Sequence, residues 1–173
     1  LDPAYVAAVK ERFADERKRV QDTNAGTLMA ANPQSVLSVD DDSRRREFEH
    51  RWDKGGFAFM NSFNDLFTNR ASNDIAADFV RAKIRAIVKD PAVADLLAPT
   101  NHPIGTKRLC LDTHYYETYN RPNVTLVDIS KTPIARITQN GLIVGGKEYA
   151  LDSIVFATGF DAMTGALTNV EIE

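Results

Sequence analysis

Over the first hundred residues the apolar side chains return every three or four positions, and beyond them the spacing shortens to two. "LDPAYVAAVKERFADERKRVQDT" predicts an amphipathic helix with Asp2 as its cap and Pro3 in its first turn; Val6, Val9, Phe13 and Val20 share one face. A looser segment follows, with Gly26 and Pro33 as breakers. "DDDSRRREFEHRWDKGG" predicts a second helix, capped by Asp42 or Ser43 and stopped at Gly55-Gly56. Its run of charges reads as a solvated helix face. "FAFMNSFNDLFTNR" and "SNDIAADFVRAKIRAIVKD" continue the helical pattern, the latter with Ala76, Val80, Ile84, Ile87 and Val88 as an apolar stripe. Phe57, Phe59, Phe63 and Phe67, at helical spacing, are read as core. "PAVADLLAP" closes this half as a short helix.

From about residue 101 prolines, β-branched residues and six of the nine glycines appear. "NVTLVDI" predicts a short strand, and "PIARIT", "LIV" and "EYAL" predict strands joined through Asn-Gly and Gly-Gly turns. "LDSIVFA" is continuously apolar, which predicts a strand buried on both faces, as in a parallel α/β sheet, ending on Ala157-Thr158-Gly159. A parallel strand needs neighbours reached through crossovers. Residues 101–157 hold no repeated strand-helix-strand unit, so those neighbours are expected from chain outside this sequence. The fold class is therefore α/β overall. A helical part, residues 1–100, precedes a part, residues 101–173, with a hairpin meander and a buried strand ending in "ATG".

Composition narrows the function classes. With 173 residues the chain fits one domain or slightly more. A net charge of −3 offers no basic field for nucleic acid or for an acidic membrane surface. Cys110 is the sole cysteine, which excludes an internal disulfide and a cysteine-based zinc site. His50, His102 and His114 show no paired ligand spacing, so no metal site is expected. There is no apolar run of membrane-spanning length and no signal-peptide pattern, and the cytoplasm is the expected compartment. The chain opens on Leu and lacks a Gly-x-Gly-x-x-Gly loop, so it reads as a piece of a longer protein.

Three stretches can carry chemistry. In open α/β sheets ligands sit beyond the carboxyl ends of strands, where "ATGFDAMTG" lies. Ala157 and Gly159 permit close backbone approach and Thr158 offers a hydroxyl, although a plain strand-to-loop turn needs the same residues. In "HPIGTKRLCLD", Pro103 and Gly105 shape a loop from which Lys107 and Arg108 enter an extended segment. Adjacent side chains of an extended chain point to opposite sides, so one cation can hold one anionic group while its neighbour faces another. A solvated Lys-Arg pair is the alternative. In "LDTHYYETYNRPNVTLVD", Tyr115, Tyr116 and Tyr119 fit a helical turn packed on a sheet, and His114 and Glu117 are read as structural.

Taken in order, GTKR, LDxxYYExYNRxNV, PIxxIT and FATGFDAxTG resemble the central part of the Baeyer–Villiger monooxygenases, the FAD- and NADPH-dependent enzymes of the phenylacetone and cyclohexanone monooxygenase type. "VQDTNAGT" and "RWDKGGFAF" extend the resemblance through the helical half, so that it covers essentially the whole chain. It implies two Rossmann-type domains in the parent. Residues 1–100 would be a helical insertion in the NADP-binding domain, and residues 101–173 the C-terminal part of that domain with the crossover toward the FAD domain. By resemblance, Arg108 matches the catalytic arginine beside the flavin, which stabilises negative charge during oxygen transfer. Lys107 matches the lysine at the 2′-phosphate of NADPH. Ala157, Thr158 and Gly159 match the cofactor-binding crossover between the two domains.

The implied reaction uses NADPH and O2 to insert oxygen beside a ketone carbonyl, giving an ester or lactone. The implied cofactors are FAD and NADP, with FAD not retained by these 173 residues alone and the chain inactive without the rest of its parent. The ketone, O2 and the remainder of the parent chain are the expected partners. Two further readings stand beside this one: a related flavin monooxygenase that oxygenates nitrogen or sulfur, and a non-catalytic helical interaction module.

Overall fold

Several of the helices begin beneath a side-chain oxygen that accepts from an amide the helix leaves unpaired. The computed structural model describes residues 2–23, 26, 28, 31–159, 165–168, 170 and 171. In α1 (Pro3–Glu11), Asp2 accepts from the Ala4 amide at 2.9 Å. The predicted single N-terminal helix is broken at Arg12, and α2 (Phe13–Gln21) follows. No residue of either helix is buried, and Phe13 is 58% exposed, so the predicted apolar face does not form core. The cap of α3 (Asp41–Lys54) is Asp40, ahead of the predicted Asp42 or Ser43; it accepts from the Ser43 amide and hydroxyl, each at 2.8 Å. Gly55, at φ 71°, ends that helix in a left-handed conformation that favours glycine.

Helical continuity is then lost, contrary to the sequence pattern. Gly56–Asn61 is a 3-10 helix, and turns run on to Thr68. Small polar side chains take the backbone acceptors locally: Ser62 Oγ donates to the Phe59 carbonyl at 2.6 Å, and Asn61 Nδ2 to the Phe57 carbonyl at 3.2 Å. Asn69 caps α4 (Arg70–Ile87), and Asp90 caps α5 (Pro91–Leu97), which is the short closing helix expected. A single turn, α6 (Tyr115–Thr118), follows.

The chain divides into two compact units, residues 1–126 and 127–173, so residues 101–126 group with the helices. In the first unit Phe48 sits against the rings of Phe59, Phe63 and Phe79 at 5.2–5.4 Å, with Val36, Leu66, Ala76 and Ile104 around them. Phe59 and Phe63 are core as expected, whereas Phe57 and Phe67 are 48% and 68% exposed. A second cluster joins Ile84 and Val88 to Ala94 and Ala98, and Tyr116 and Tyr119 pack on it. The tyrosine turn therefore rests on helices, where the sequence suggested a sheet. Burial of Ala76, Ile84 and Val88 bears out the stripe of α4.

In the second unit β1 (Ile134–Thr138), β2 (Gly141–Val144) and β3 (Lys147–Ala150) form an antiparallel sheet in the order β1-β2-β3. Ile137 pairs with Leu142, and Leu142 with Tyr149. Gly145 and Gly146, at φ 59° and 78°, make the β2–β3 turn with two positive φ values, as a two-residue hairpin requires. A Cβ on Gly141 would lie 1.9 Å from the Tyr149 carbonyl oxygen, so the β2–β3 pairing admits only glycine there.

The hairpin meander is thus as expected, but two predicted strands are not. Residues 123–129 carry no strand, and neither does 151–159, where Val155 is 88% and Phe156 68% exposed. A strand exists only with a partner to take its amides and carbonyls, and among the described residues 151–159 has none beyond a single Leu151 amide bond to the Asn140 carbonyl. No parallel strand pair occurs among the described residues. A short helix, α7 (Gly165–Thr168), completes the unit. Among the described residues no helix is long and apolar enough to cross a membrane.

Candidate functional site

The Pro103–Arg108 loop is held from three sides. Its turn closes on itself, with Thr106 Oγ1 donating to the Pro103 carbonyl at 2.7 Å and the Thr106 amide to the same oxygen at 3.3 Å. Ile104 is buried in the phenylalanine core. Asn73, in the first turns of α4 and 5% exposed, makes both hydrogen bonds with Ile104. Its Oδ1 accepts from the Ile104 amide at 3.0 Å, while Nδ2 donates to the Ile104 carbonyl at 2.8 Å and to the Leu66 carbonyl at 2.8 Å. One amide side chain thus satisfies a buried donor and two buried acceptors. Gly105, at φ 88°, completes the clamp: a Cβ there would meet Phe67 at 2.7 Å and Met60 at 2.8 Å.

Beyond this clamp Lys107 and Arg108 are exposed, and Leu109 turns inward against the core. Neither cation has an ion-pair partner among the described residues. The Arg108 guanidinium lies over the Phe57 ring, 5.1 Å from its centroid. Two adjacent cations on a fixed loop, free of carboxylates, have the donor chemistry that phosphate and other oxyanions require. A cleft of about 220 Å³ lies beside the loop, with Phe67, Asn69, Asn73, Pro103 and Thr106 in its walls.

Ala157, Thr158 and Gly159 stand together in the second unit, all exposed. Gly159 has φ 83° with open space where a Cβ would stand, so its backbone can be approached closely. The remainder of the "FDAMT" stretch, residues 160–164, lies outside the described residues. His114 takes the left-handed conformation at φ 60°, and its ring stands 3.9 Å from Glu117 with 80% of the side chain exposed. Tyr119 donates to the Tyr115 hydroxyl at 2.9 Å, and that bond, with partial burial, pushes its phenol up to about 12. A phenol raised that far is not poised for proton transfer near neutral pH.

Asn73 belongs to none of the motifs that the sequence offers. The signal was there: a polar residue one turn ahead of Ala76 and Ala77, on the side of α4 that its stripe buries. A second cleft, about 330 Å³, is lined by Ser43, Arg46, Glu47 and His50 of α3 with Asn32 and Gln34. No group of three histidine, cysteine or carboxylate residues able to hold a metal occurs among the described residues.

No family model matches the chain. Curated relatives do. Cyclopentanone 1,2-monooxygenase of a Comamonas species is 46% identical over 151 residues, which is 86% of this chain and 26% of the relative. Phenazine N-monooxygenase of Lysobacter antibioticus is 41% identical over 175 residues, 99% of this chain and 32% of the relative. A Baeyer–Villiger monooxygenase of Pseudooceanicola batsensis is 38% identical over 174 residues, 99% of this chain and 32% of the relative.

Solved structures agree. The oxidized steroid monooxygenase bound to NADP matches with TM-score 0.91 and 47% identity over 96% of this chain and 32% of its own. The OTEMO complex with FAD and NADP matches with TM-score 0.92 and 40% identity over 97% of this chain and 31% of its own. The chain spans about a third of the length of the relatives it matches. Over that span, in sequence and in fold, it belongs to the Baeyer–Villiger monooxygenases.

Proposed function

We propose that this chain is the cofactor-facing segment of an enzyme that uses NADPH and O2 to insert oxygen beside a ketone carbonyl, giving an ester or lactone. The observation that carries the proposal is the likeness of nearly the whole chain to a solved complex holding both FAD and NADP. FAD, when bound, supplies the oxygen-activating chemistry. The chain's own residues supply charge and position.

Arg108 is the catalytic residue in this reading. Its guanidinium stays protonated throughout and offers planar donors to the negative charge that develops during oxygen transfer. Lys107 is a compact point charge for the 2′-phosphate of NADPH. Ala157, Thr158 and Gly159 bring backbone close to the cofactors, a role supported by the open space around Gly159. Residues 1–100 are then a helical insertion in an NADP-binding domain, and 101–173 the return into it. The exposed stretch 151–157 becomes a strand of a Rossmann-type sheet whose other strands come from the rest of the parent; the apolar surface of Val155 and Phe156 supports this. A cytoplasmic location fits a reducing, NADPH-supplied reaction.

In the full-length protein Arg108→Ala is expected to abolish ketone oxygenation with FAD still bound. Lys107→Ala is expected to raise the KM for NADPH more than that for NADH. Equal effects on the two coenzymes would remove the 2′-phosphate role. A second reading, oxygenation of a ring nitrogen, is favoured by the likeness to the phenazine N-monooxygenase. Product analysis with a cyclic ketone and with phenazine separates the two: an ester or lactone supports the first, an N-oxide the second.

A further inference from the structure

From the contacts of one buried side chain we infer that Asn73 is a positioning residue for Lys107 and Arg108, and so for coenzyme discrimination. The inference rests on the functional reading above. Lys107 and Arg108 have no ion-pair partner of their own among the described residues, so their placement comes from the loop that precedes them. That loop is tied to the helical core through Ile104, and Asn73 makes both of the polar ties. It accepts from the Ile104 amide at 3.0 Å and donates to the Ile104 carbonyl at 2.8 Å, from a helix 31 residues upstream.

The third bond, to the Leu66 carbonyl at 2.8 Å, fixes Asn73 to the turn that follows the 3-10 helix. Asn73 itself is 5% exposed, so water cannot replace these bonds. No other amide or hydroxyl side chain of α4 reaches the 103–108 loop among the described hydrogen bonds. The helical half thereby sets where the two cations stand: α4 holds Ile104, Ile104 fixes the turn at Gly105, and the turn presents Lys107 two residues later. Asn73 touches neither coenzyme nor substrate in this account. It acts through the backbone of the loop.

The test uses the full-length FAD-loaded protein. Asn73→Asp keeps the size of the side chain and the acceptor for the Ile104 amide, and removes both donated bonds. Asn73→Ser removes the reach without placing a carboxylate in the core, and serves if the first variant does not fold. Binding of NADP+ and of NAD+ is measured by calorimetry, and hydrogen exchange is followed at the 103–108 amides. The expected result is a fall in the NADP+/NAD+ affinity ratio of about tenfold, the scale of one buried hydrogen bond left unmade, with faster exchange in the loop and protection of α4 retained. Lys107→Ala is run alongside. A lowered ratio in Lys107→Ala with an unchanged ratio and unchanged loop exchange in a folded Asn73 variant overturns the inference alone. An unchanged ratio in Lys107→Ala overturns the functional reading, and the inference with it.

Discussion

Ser35 and Asp65 lie thirty residues apart in sequence, and the Ser35 hydroxyl donates to the Asp65 carboxylate at 2.6 Å. The Ser72 hydroxyl donates to the same oxygen at 2.6 Å, and the Val36 amide to the other at 3.1 Å. One carboxylate therefore joins the 3-10 turn at Val36–Ser38, the turns before α4 and the start of α4 itself.

That junction predicts a pH dependence. Burial disfavours the charged form of Asp65, but the donors from Ser35, Ser72 and Val36 outweigh it and hold the carboxyl below its ordinary 3.8. A depressed folded value means that Asp65 stabilises the fold above the unfolded value, and that this contribution disappears as pH falls through the folded one. Asp65→Asn is expected to lose roughly 1–3 kcal/mol at pH near 7, the scale of hydrogen bonds to a charged group. Denaturant melts of the two proteins should converge below pH 3.8. A gap that stays constant across that range would show that the charge is irrelevant.

Gly105→Ala should destabilise the first unit, because the new methyl group would sit 2.7 Å from Phe67 and 2.8 Å from Met60 at φ 88°. Overpacking of this kind typically costs about 1–3 kcal/mol. Phe67 is 68% exposed and can swing aside, which places the expected value at the lower end. Thermal melts of the variant check this; a melting temperature equal to that of the parent would refute the clamp.

Gly141→Ala meets backbone in place of a flexible ring, with Tyr149 O at 1.9 Å from the added carbon. The β2–β3 pairing must open, so amides of Gly141–Val144 and Lys147–Ala150 should lose exchange protection while α4 keeps its own. Retained protection in the hairpin would contradict the geometry.

Phe48→Ala removes the ring that touches Phe59, Phe63 and Phe79. A loss of roughly 3–5 kcal/mol is expected for a phenylalanine truncated in a tight core. The exposed Phe57→Ala should lose about 0.5–1 kcal/mol or less, and should shift the Arg108 side-chain NMR resonances as the ring leaves the guanidinium. Comparable losses in the two variants would mean that the core is wrongly placed.

Much of this fold was legible along the chain because it rests on local chemistry. Asp2, Asn69 and Asp90 cap helices through bonds spanning two or three residues, and Gly145-Gly146 makes a turn from its own backbone. The stripe of α4 was visible because burial follows the 3.6-residue period. The pattern misled where a segment's state depends on a partner. Residues 151–159 have the composition of a buried strand, yet they are exposed here because a ladder needs a second chain segment. The phenylalanines at 57–67 have helical spacing, but Gly55, Gly56 and the polar residues among them divert the backbone into a 3-10 helix and turns.

By its order of short motifs, the sequence alone determined the family resemblance and singled out the adjacent cations Lys107 and Arg108, since GTKR and FATGFD are contiguous strings. Only the tertiary structure decided what ties down the loop before them. The tie between Asn73 and Ile104 and the carboxylate bridge from Asp65 to Ser35 each span about thirty residues. No local propensity encodes such a contact; it exists because the fold brings distant groups together, and at Asn73 and Ile104 burial leaves no water to bond in their place.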